Sequence, residues 1–150
     1  MKVLSLWQPW ASSMVWLWKQ NETRSWSTKY RGPVAIHAAK QDGCSYLDIR
    51  AHAIRLLMSA GVAPPSPFPE MPRGKIIGVG ELVDVIPAEE IERTHPLTPL
   101  ERAFGDYGPG RFVWIFTNLK AVTPLPLKGA QGLRSLPEEV VSQVEYLTLA

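Results

Sequence analysis

Three charged residues after the tryptophan-rich opening stretch have types and spacing that could do chemistry together. Lys19, Glu22 and Arg24 occur in "KQNETR", directly after "LSLWQPWASSMVWLW". If this segment is extended, Glu22 and Arg24 point to the same face, because side chains alternate along a strand. The group could form a simple ion pair, bind a phosphate or polarise an amide. Lys19 could also act as a general base if burial lowers its pKa.

The histidines, the cysteine and the glycine motifs give weaker signals. His37, His52 and His95 lack the spacing of metal ligands, and His37 on an apolar strand is more typical of a hydrogen-bonded core residue than of a catalyst. Cys44 has no basic neighbour in sequence that would activate it as a nucleophile. "GVGELVD" lacks the third glycine of a dinucleotide-binding motif, and no G-x-x-x-x-G-K phosphate loop occurs. We therefore predict neither a metal nor a cofactor.

Length and composition indicate one globular domain over residues 1–150. The 150 residues are 45% hydrophobic and 20% charged, which is ordinary for a folded domain. The single cysteine excludes an internal disulfide framework, so a reducing, cytoplasmic location is expected. No signal peptide is recognisable, and no stretch approaches the roughly 18 to 20 apolar residues of a membrane span.

Charge is unevenly distributed although the net charge is only +2. Residues 1–40 contain six Lys or Arg and one acid, whereas residues 81–106 contain seven acids and two Arg. If these segments lie on different faces, one face is basic and suited to a polyanion such as nucleic acid. The alternative is charge scattered over a solvated surface.

A helix that starts at Gln8-Pro9, after a short strand over residues 3–7, must position the charged residues. Its apolar positions fall at helical spacing and are expected to face the core. This stripe consists of Trp7, Trp10, Ala11, Met14, Val15 and Trp18. Four residues lie off the stripe and are expected to face solvent or a cleft: Gln8, Ser12, Ser13 and Trp16.

The rest of the chain alternates between strands, loops and short helices. A second helix is predicted over residues 45–60 with Gly61 as its stop, followed by a proline-rich surface loop over 63–74. The acidic segment 88–106 is predicted to be short helix plus loop. Strands are predicted at "VAIHAAK", "KIIGVGELVDVI" and "RFVWIFTNLKAV", followed by a loop with two glycines and a closing helix that opens at Pro137. This order favours an α+β fold with a small, partly closed barrel over a doubly wound sheet.

Several of these segments together resemble the ASCH (activating signal cointegrator homology) domain family. The string "SLWQPWAS…K..ETRSW.T.YRGP.AIHAAK" is similar to the opening of that domain, and "G.GELVDV", "FVWIF" and "LPLKGAQGL" are similar to its later parts. The resemblance covers essentially the whole chain. It implies a PUA-like small β-barrel with flanking helices, and a cleft between the first helix and the barrel that binds nucleic acid or a modified nucleoside.

The resemblance also implies an alternative function. One hydrolase branch of the family removes the acyl group of acetylated cytidine with a Lys-x-x-Thr motif and a later Glu. Lys19 matches the Lys and Glu81 the later Glu, but Glu22 stands where that branch has Thr, so a nucleophilic hydroxyl is missing there. Lys19, Glu22 and Glu81 are thus the candidate catalytic residues of a metal-independent ribonuclease or nucleoside amidohydrolase.

The resulting site prediction is a basic cleft for RNA or another single-stranded nucleic acid, with an acidic peptide of a protein partner as a further possibility. Trp7, Trp10 and Trp18 are expected to be mainly core, although a cleft-facing Trp or Tyr30 would stack on an unpaired base. Lys and Arg would contact phosphates. The predicted ligand-binding residues are Gln8, Trp10, Ser12, Arg24, Lys29, Tyr30, Arg31, His37 and Lys128.

Overall fold

Residues 1–147 are described by a computed structural model, in which they form one mixed sheet with helices around it. The strands are β1 Lys2–Leu6, β2 Asn21–Arg24, β3 Gly32–Ala38, β4 Lys75–Pro87, β5 Phe112–Pro126 and β6 Arg134–Ser135. The helices are α1 Trp10–Val15, α2 Tyr46–Ser59, α3 Ile91–Thr94, α4 Pro99–Ala103 and α5 Glu138–Val141, with a 3₁₀ turn at Ala88–Glu90. The predicted α+β class is confirmed. The last three residues of the predicted domain lie outside the described part.

The sheet is open, which corrects the predicted barrel. Its strand order is β2-β5-β4-β3-β1-β6, so β2 and β6 are edges that do not pair with each other within residues 1–147. Among the strand pairs in residues 1–147, only β1 and β3 run parallel, and the other neighbouring strands are antiparallel. The long β4–β5 pair contains three register shifts, and such irregularities increase local bending and twist.

Helix α1 packs directly against β4, where glycine leaves room for it. A Cβ atom at Gly78 would lie 2.6 Å from Val15 Cγ2 and 3.0 Å from the Lys120 carbonyl oxygen. The absence of a side chain at this glycine therefore allows a close approach of the helix to the strand. Met14 and Ala11 of the helix are fully buried in the same core as Trp114 and Leu82.

The start of α1 differs from the prediction, and the burial of its neighbours changes with it. The helix begins at Trp10, so Trp7 lies before it and is 61% exposed, contrary to its predicted core position. Gln8 and Ser12 are buried instead. The Gln8 Nε2 group donates to Ser12 Oγ (2.8 Å) and to the Pro72 carbonyl (2.8 Å), which satisfies these polar groups inside the protein.

The later elements largely follow the predictions. Helix α2 occupies Tyr46–Ser59 and is followed by Gly61 with a φ of 75°, the left-handed conformation common after a helix. The proline-rich loop contains no regular element, and the acidic segment forms short helices and loops. The closing helix is only four residues long. None of the helices in residues 1–147 has the length and apolarity needed to cross a membrane.

Candidate functional site

A large cleft of about 1670 Å³ runs along one end of the sheet. Its walls come from within residues 5–10, 19–26, 103–111 and 126–132, together with a few residues from between these segments. Five basic and three acidic side chains line it: Lys19, Arg24, Lys40, Arg111, Lys128, Glu22, Asp42 and Asp106. The cleft thus collects residues from both ends of the chain.

The three charged residues singled out from the sequence form one chain of contacts in the cleft wall. Lys19 Nζ is fully buried, 3.0 Å from Glu22 Oε1, and it also donates to the Phe104 carbonyl (3.1 Å). The other carboxylate oxygen, Oε2, lies 3.1 Å from Arg24 Nη2. Glu22 and Arg24 therefore share a face of β2, which confirms the prediction made from strand alternation.

The electrostatics of this cluster keep Glu22 ionised. Burial alone would raise the pKa of the Glu22 carboxyl, but the positive charges of Lys19 and Arg24, and hydrogen bonds from Lys19 and the Thr23 N–H, hold the pKa below its usual value. A carboxylate between two cations can orient both, and the cluster carries one excess positive charge. The ion pairs with Glu22 hold Lys19 and Arg24 in place, and Arg24 lines the cleft.

Arg24 connects this cluster to a second polar group on β1 and β3. Its Nη2 donates to the backbone carbonyl of Ser5 (2.9 Å), whose Oγ lies 2.9 Å from His37 Nδ1. The other ring nitrogen of His37 is 2.7 Å from the Leu127 carbonyl. Burial lowers the pKa of His37, so the ring is neutral near neutral pH.

A glycine-containing loop closes the cleft over this histidine. Arg134 Nη2 donates to the Lys128 carbonyl (2.7 Å) and fixes the loop from β6. At Gly129 a Cβ atom would lie 2.9 Å from His37 Cε1 and 3.3 Å from Ser5 Oγ. Only glycine allows the loop backbone to come this close.

The structure brings five of the predicted site residues together in the cleft and places the others elsewhere. The five are Trp10, Lys19, Glu22, Arg24 and Lys128. Gln8, Ser12 and His37 are buried behind the lining and do not contribute to the surface. The position predicted for Gln8 and Ser12 is wrong because their hydrogen bonds inside the protein replace solvent.

The predicted rim residues also lie outside the cleft. Tyr30 turns its hydroxyl to the Pro33 carbonyl (2.8 Å), and Arg31 binds the carbonyls of Thr28 and Tyr30 near its own backbone. Lys29 is exposed but is not part of the lining. These residues follow β2 in a turn that leads away from the cleft, so the prediction that they form its rim is wrong.

Glu81 does not converge with Lys19 and Glu22, which corrects the predicted catalytic set. It lies on β4 in a separate small cavity of about 110 Å³ beside Pro33 and Lys120. Strand alternation explains this separation: Leu82 packs in the core with α1, and its neighbour Glu81 points to the opposite face.

Sequence reasoning missed Trp7, Ser5, Lys40 and Arg111 as lining residues. Trp26, a further lining residue, packs edge-on against Trp114 with ring centroids 4.8 Å apart. No local sequence pattern marks Ser5 or Arg111 as a lining residue, because their neighbours in the cleft come from distant segments of the chain. Trp7 could have been recognised as an aromatic residue of the cleft, but it was included in the helical stripe although it precedes the helix.

Comparisons with known proteins agree with the fold and its motifs. Residues 4–126 match the ASCH domain family. Human activating signal cointegrator 1 is 30% identical over 139 residues, and the mouse protein 29%; each match covers 91% of this chain and only 22% of the relative. The crystal structure of ASCH from Zymomonas mobilis aligns with a TM-score of 0.59 at 16% identity, over 96% of this chain and 95% of that one. A substituted variant of the same bacterial protein gives 0.58 at 16% identity, over 96% of each chain. Because the family match extends over residues 4–126, most of its length, this chain belongs to the ASCH domain family.

Proposed function

We propose that this protein binds single-stranded RNA in the cleft. The observation that carries the proposal is the excess of basic over acidic side chains in its lining, five against three. Within residues 1–147, Lys40 and Lys128 make no ion pair, so both are available to phosphates. Phosphate contacts by Lys and Arg provide most of the sequence-independent affinity for nucleic acid.

Aromatic side chains in the same cleft support a single-stranded ligand. Trp7 is 61% exposed at the cleft surface, and Trp10 lines the cleft as well. The backbone that follows Trp7 is held: the Gln41 side chain binds the Gln8 N–H and C=O groups, and the Ala11 N–H donates to the Trp7 carbonyl (3.1 Å). An exposed indole on a held backbone is suited to stack on an unpaired base.

Family membership supports binding to nucleic acid in general, without specifying RNA. The ASCH family is associated with nucleic-acid or protein interactions. The chain spans about a fifth of the length of the curated relatives that it matches, so their activities as whole proteins do not transfer to it. RNA rather than DNA is our choice because the unpaired bases of RNA loops are available for stacking.

The proposal predicts strongly salt-dependent RNA binding. Fluorescence anisotropy with a labelled single strand of about 12 nucleotides should show affinity falling steeply between about 50 and 200 mM salt. Lys128→Ala should reduce the slope of log affinity against log salt by about 0.7, and Trp7→Ala should cost about 1 to 3 kcal/mol. Lys29→Ala is the matched control, since Lys29 is exposed but lies outside the lining.

The same experiment separates the alternatives. Absence of binding at low salt would refute the proposal, and displacement of RNA by an acidic peptide alone would favour a protein partner. A DNA strand of the same sequence tests the preference for RNA. Mass spectrometry of the recovered RNA, kept in chelator, tests the hydrolase alternative: shortened or deacylated RNA that disappears with Lys19→Ala would favour an enzyme.

A further inference from the structure

A serine and a histidine lie side by side where β1 and β3 reach the cleft. The two strands are parallel and in register, with Ser5 opposite His37. Ser5 Oγ is 2.9 Å from His37 Nδ1, which is hydrogen-bonding distance. Ser5 lines the cleft, whereas His37 lies behind it with no exposed surface. The hydroxyl is therefore the member of this pair that a ligand can reach.

The Leu127 carbonyl determines which nitrogen of the His37 ring carries the hydrogen. His37 Nε2 is 2.7 Å from the Leu127 carbonyl oxygen, which can only accept a hydrogen bond, so Nε2 carries the hydrogen. In the neutral ring Nδ1 then has a free lone pair, and the Ser5 hydroxyl must be the donor between them. The Leu127 carbonyl thus holds the imidazole in the one tautomer that can accept a proton from Ser5.

The surroundings keep the ring neutral and ready to accept that proton. Burial lowers the pKa of His37 and outweighs the hydrogen bond to Leu127, which acts in the opposite direction. The ring meets Ser5 on β1 and Leu127 and Gly129 in the loop, all uncharged. Arg134 on β6 is the charged group that acts on it and lowers the pKa further.

The backbone of a loop glycine lies next to the serine. The Gly129 backbone is held so close that a Cβ atom there would be 3.3 Å from Ser5 Oγ. The amide groups of residues 128–130 donate to no other group within residues 1–147. They are available to an anion that develops on a ligand beside Ser5.

We propose that Ser5 is a nucleophile, and His37 its general base, for hydrolysis of a carboxylic ester or amide bound in the cleft. This activity does not depend on RNA binding and does not use Lys19, Glu22 or Glu81 as the nucleophile. Arg24 Nη2 donates to the Ser5 backbone carbonyl and makes no hydrogen bond to the hydroxyl.

The reaction balances with water as the only co-reactant. Ser5 Oγ attacks the carbonyl carbon while His37 Nδ1 takes the hydroxyl proton. The bond from that carbon to the leaving oxygen or nitrogen breaks, and His37 returns the proton to the leaving alcohol or amine. Water then attacks the ester on Ser5, again with His37 as base. This step releases the carboxylic acid and restores the serine.

A fluorophosphonate probe tests the nucleophile directly, because it reacts with activated serines. Intact-mass and peptide analysis should show one adduct, on Ser5. Ser5→Ala and His37→Gln should each reduce the labelling rate at least about 100-fold, the usual contribution of a general base. Ser27→Ala is the matched control: Ser27 is an exposed serine outside the cleft lining, and its variant should label as the wild type does.

Two further arms keep the test independent of whether His37→Gln folds. In the wild-type protein, labelling should stay high down to the ordinary histidine value of 6.5 and fall at more acidic pH, since the His37 pKa is lowered. Turnover of p-nitrophenyl acetate should disappear with Ser5→Ala, while a cooperative melting transition shows that the variant is still folded. Absence of labelling, labelling retained by Ser5→Ala, or an adduct on Ser25 would overturn the proposal.

Discussion

At the scale of single residues, the buried lysine is the least expected feature of the cleft wall. Lys19 has no exposed side-chain surface, and its charge is compensated by Glu22 and the Phe104 carbonyl. Removing an ion from water costs several kcal/mol unless a partner and hydrogen bonds offset it. Glu22 is therefore a structural necessity for Lys19, whatever else the pair does.

This dependence predicts a large effect of Glu22→Gln. The change leaves Lys19 buried without a countercharge and should lower the free energy of unfolding by about 3 to 5 kcal/mol. Urea unfolding followed by tryptophan fluorescence measures it. The control is Glu90→Gln, which removes an exposed carboxylate 3.9 Å from Arg93 and should cost less than about 1 kcal/mol. Equal losses in the two variants would contradict the argument.

The sequence predicted this cluster because its members are near neighbours. Strand alternation correctly placed Glu22 and Arg24 on one face, and Lys19 is only three residues away. Glu81 was assigned by resemblance alone, and strand alternation places it on the other face of the sheet. The Ser5–His37 pair was not predicted, because it depends on the parallel pairing of β1 with β3.

At the scale of elements, the contact between α1 and β4 determines how the helix sits on the sheet. Gly78 is in contact with Val15 from the helix and with the Lys120 carbonyl from β5. The helix has only six residues and could not be stable by itself. Its position thus depends on packing against a strand that carries no side chain at the contact.

Gly78→Ala should therefore destabilise the protein by about 1 to 3 kcal/mol, as overpacking of a core does. Val15→Ala in the same chain should recover only part of the loss, because the clash with the Lys120 backbone remains. Thermal unfolding of both variants and of Gly108→Ala gives the comparison. At Gly108 a Cβ would meet only the end of the Asp106 side chain. Full recovery by Val15→Ala would contradict the role of the backbone contact.

Periodicity predicted the existence and type of these elements better than their first residues. The apolar spacing identified α1, but the helix begins at Trp10. Trp7 lies before the turn that leads into the helix, so the helical period does not apply to it. Gln8 and Ser12 look like surface residues by type. Their burial depends on the Pro72 carbonyl, 64 positions further along the chain, which local patterns do not reveal.

At the scale of the whole molecule, two buried titratable groups link stability to acid pH. The pKa values of Glu22 and His37 are both lowered in the folded protein from ordinary values of 4.5 and 6.5. In both cases the unfolded chain binds protons first as pH falls, so stability decreases. The contribution of His37 is fully present above pH 6.5 and is lost below it; that of Glu22 is lost below pH 4.5.

Urea unfolding at a series of pH values should therefore show a two-stage loss of stability. The first stage lies below pH 6.5 and should be absent in His37→Gln, compared with its own value at neutral pH. The second lies below pH 4.5 and should be reduced in Glu22→Gln. Stability that stays constant from neutral pH down to 4.5 would contradict the assignment to His37.

The cleft is lined by residues from the first and the last parts of the chain, and this has a consequence for biosynthesis. Strand β2 pairs with β5, so Glu22 lies opposite Trp114, and the loop over Ser5 begins only at Leu127. Contacts this distant in sequence form slowly, because a long loop must close first. A chain elongated only to residue 100 lacks Phe104 and Trp114, against which Trp18 and Trp26 pack in the folded protein. Ribosome-bound chains of that length are thus the stage at which chaperones have the most apolar surface to bind.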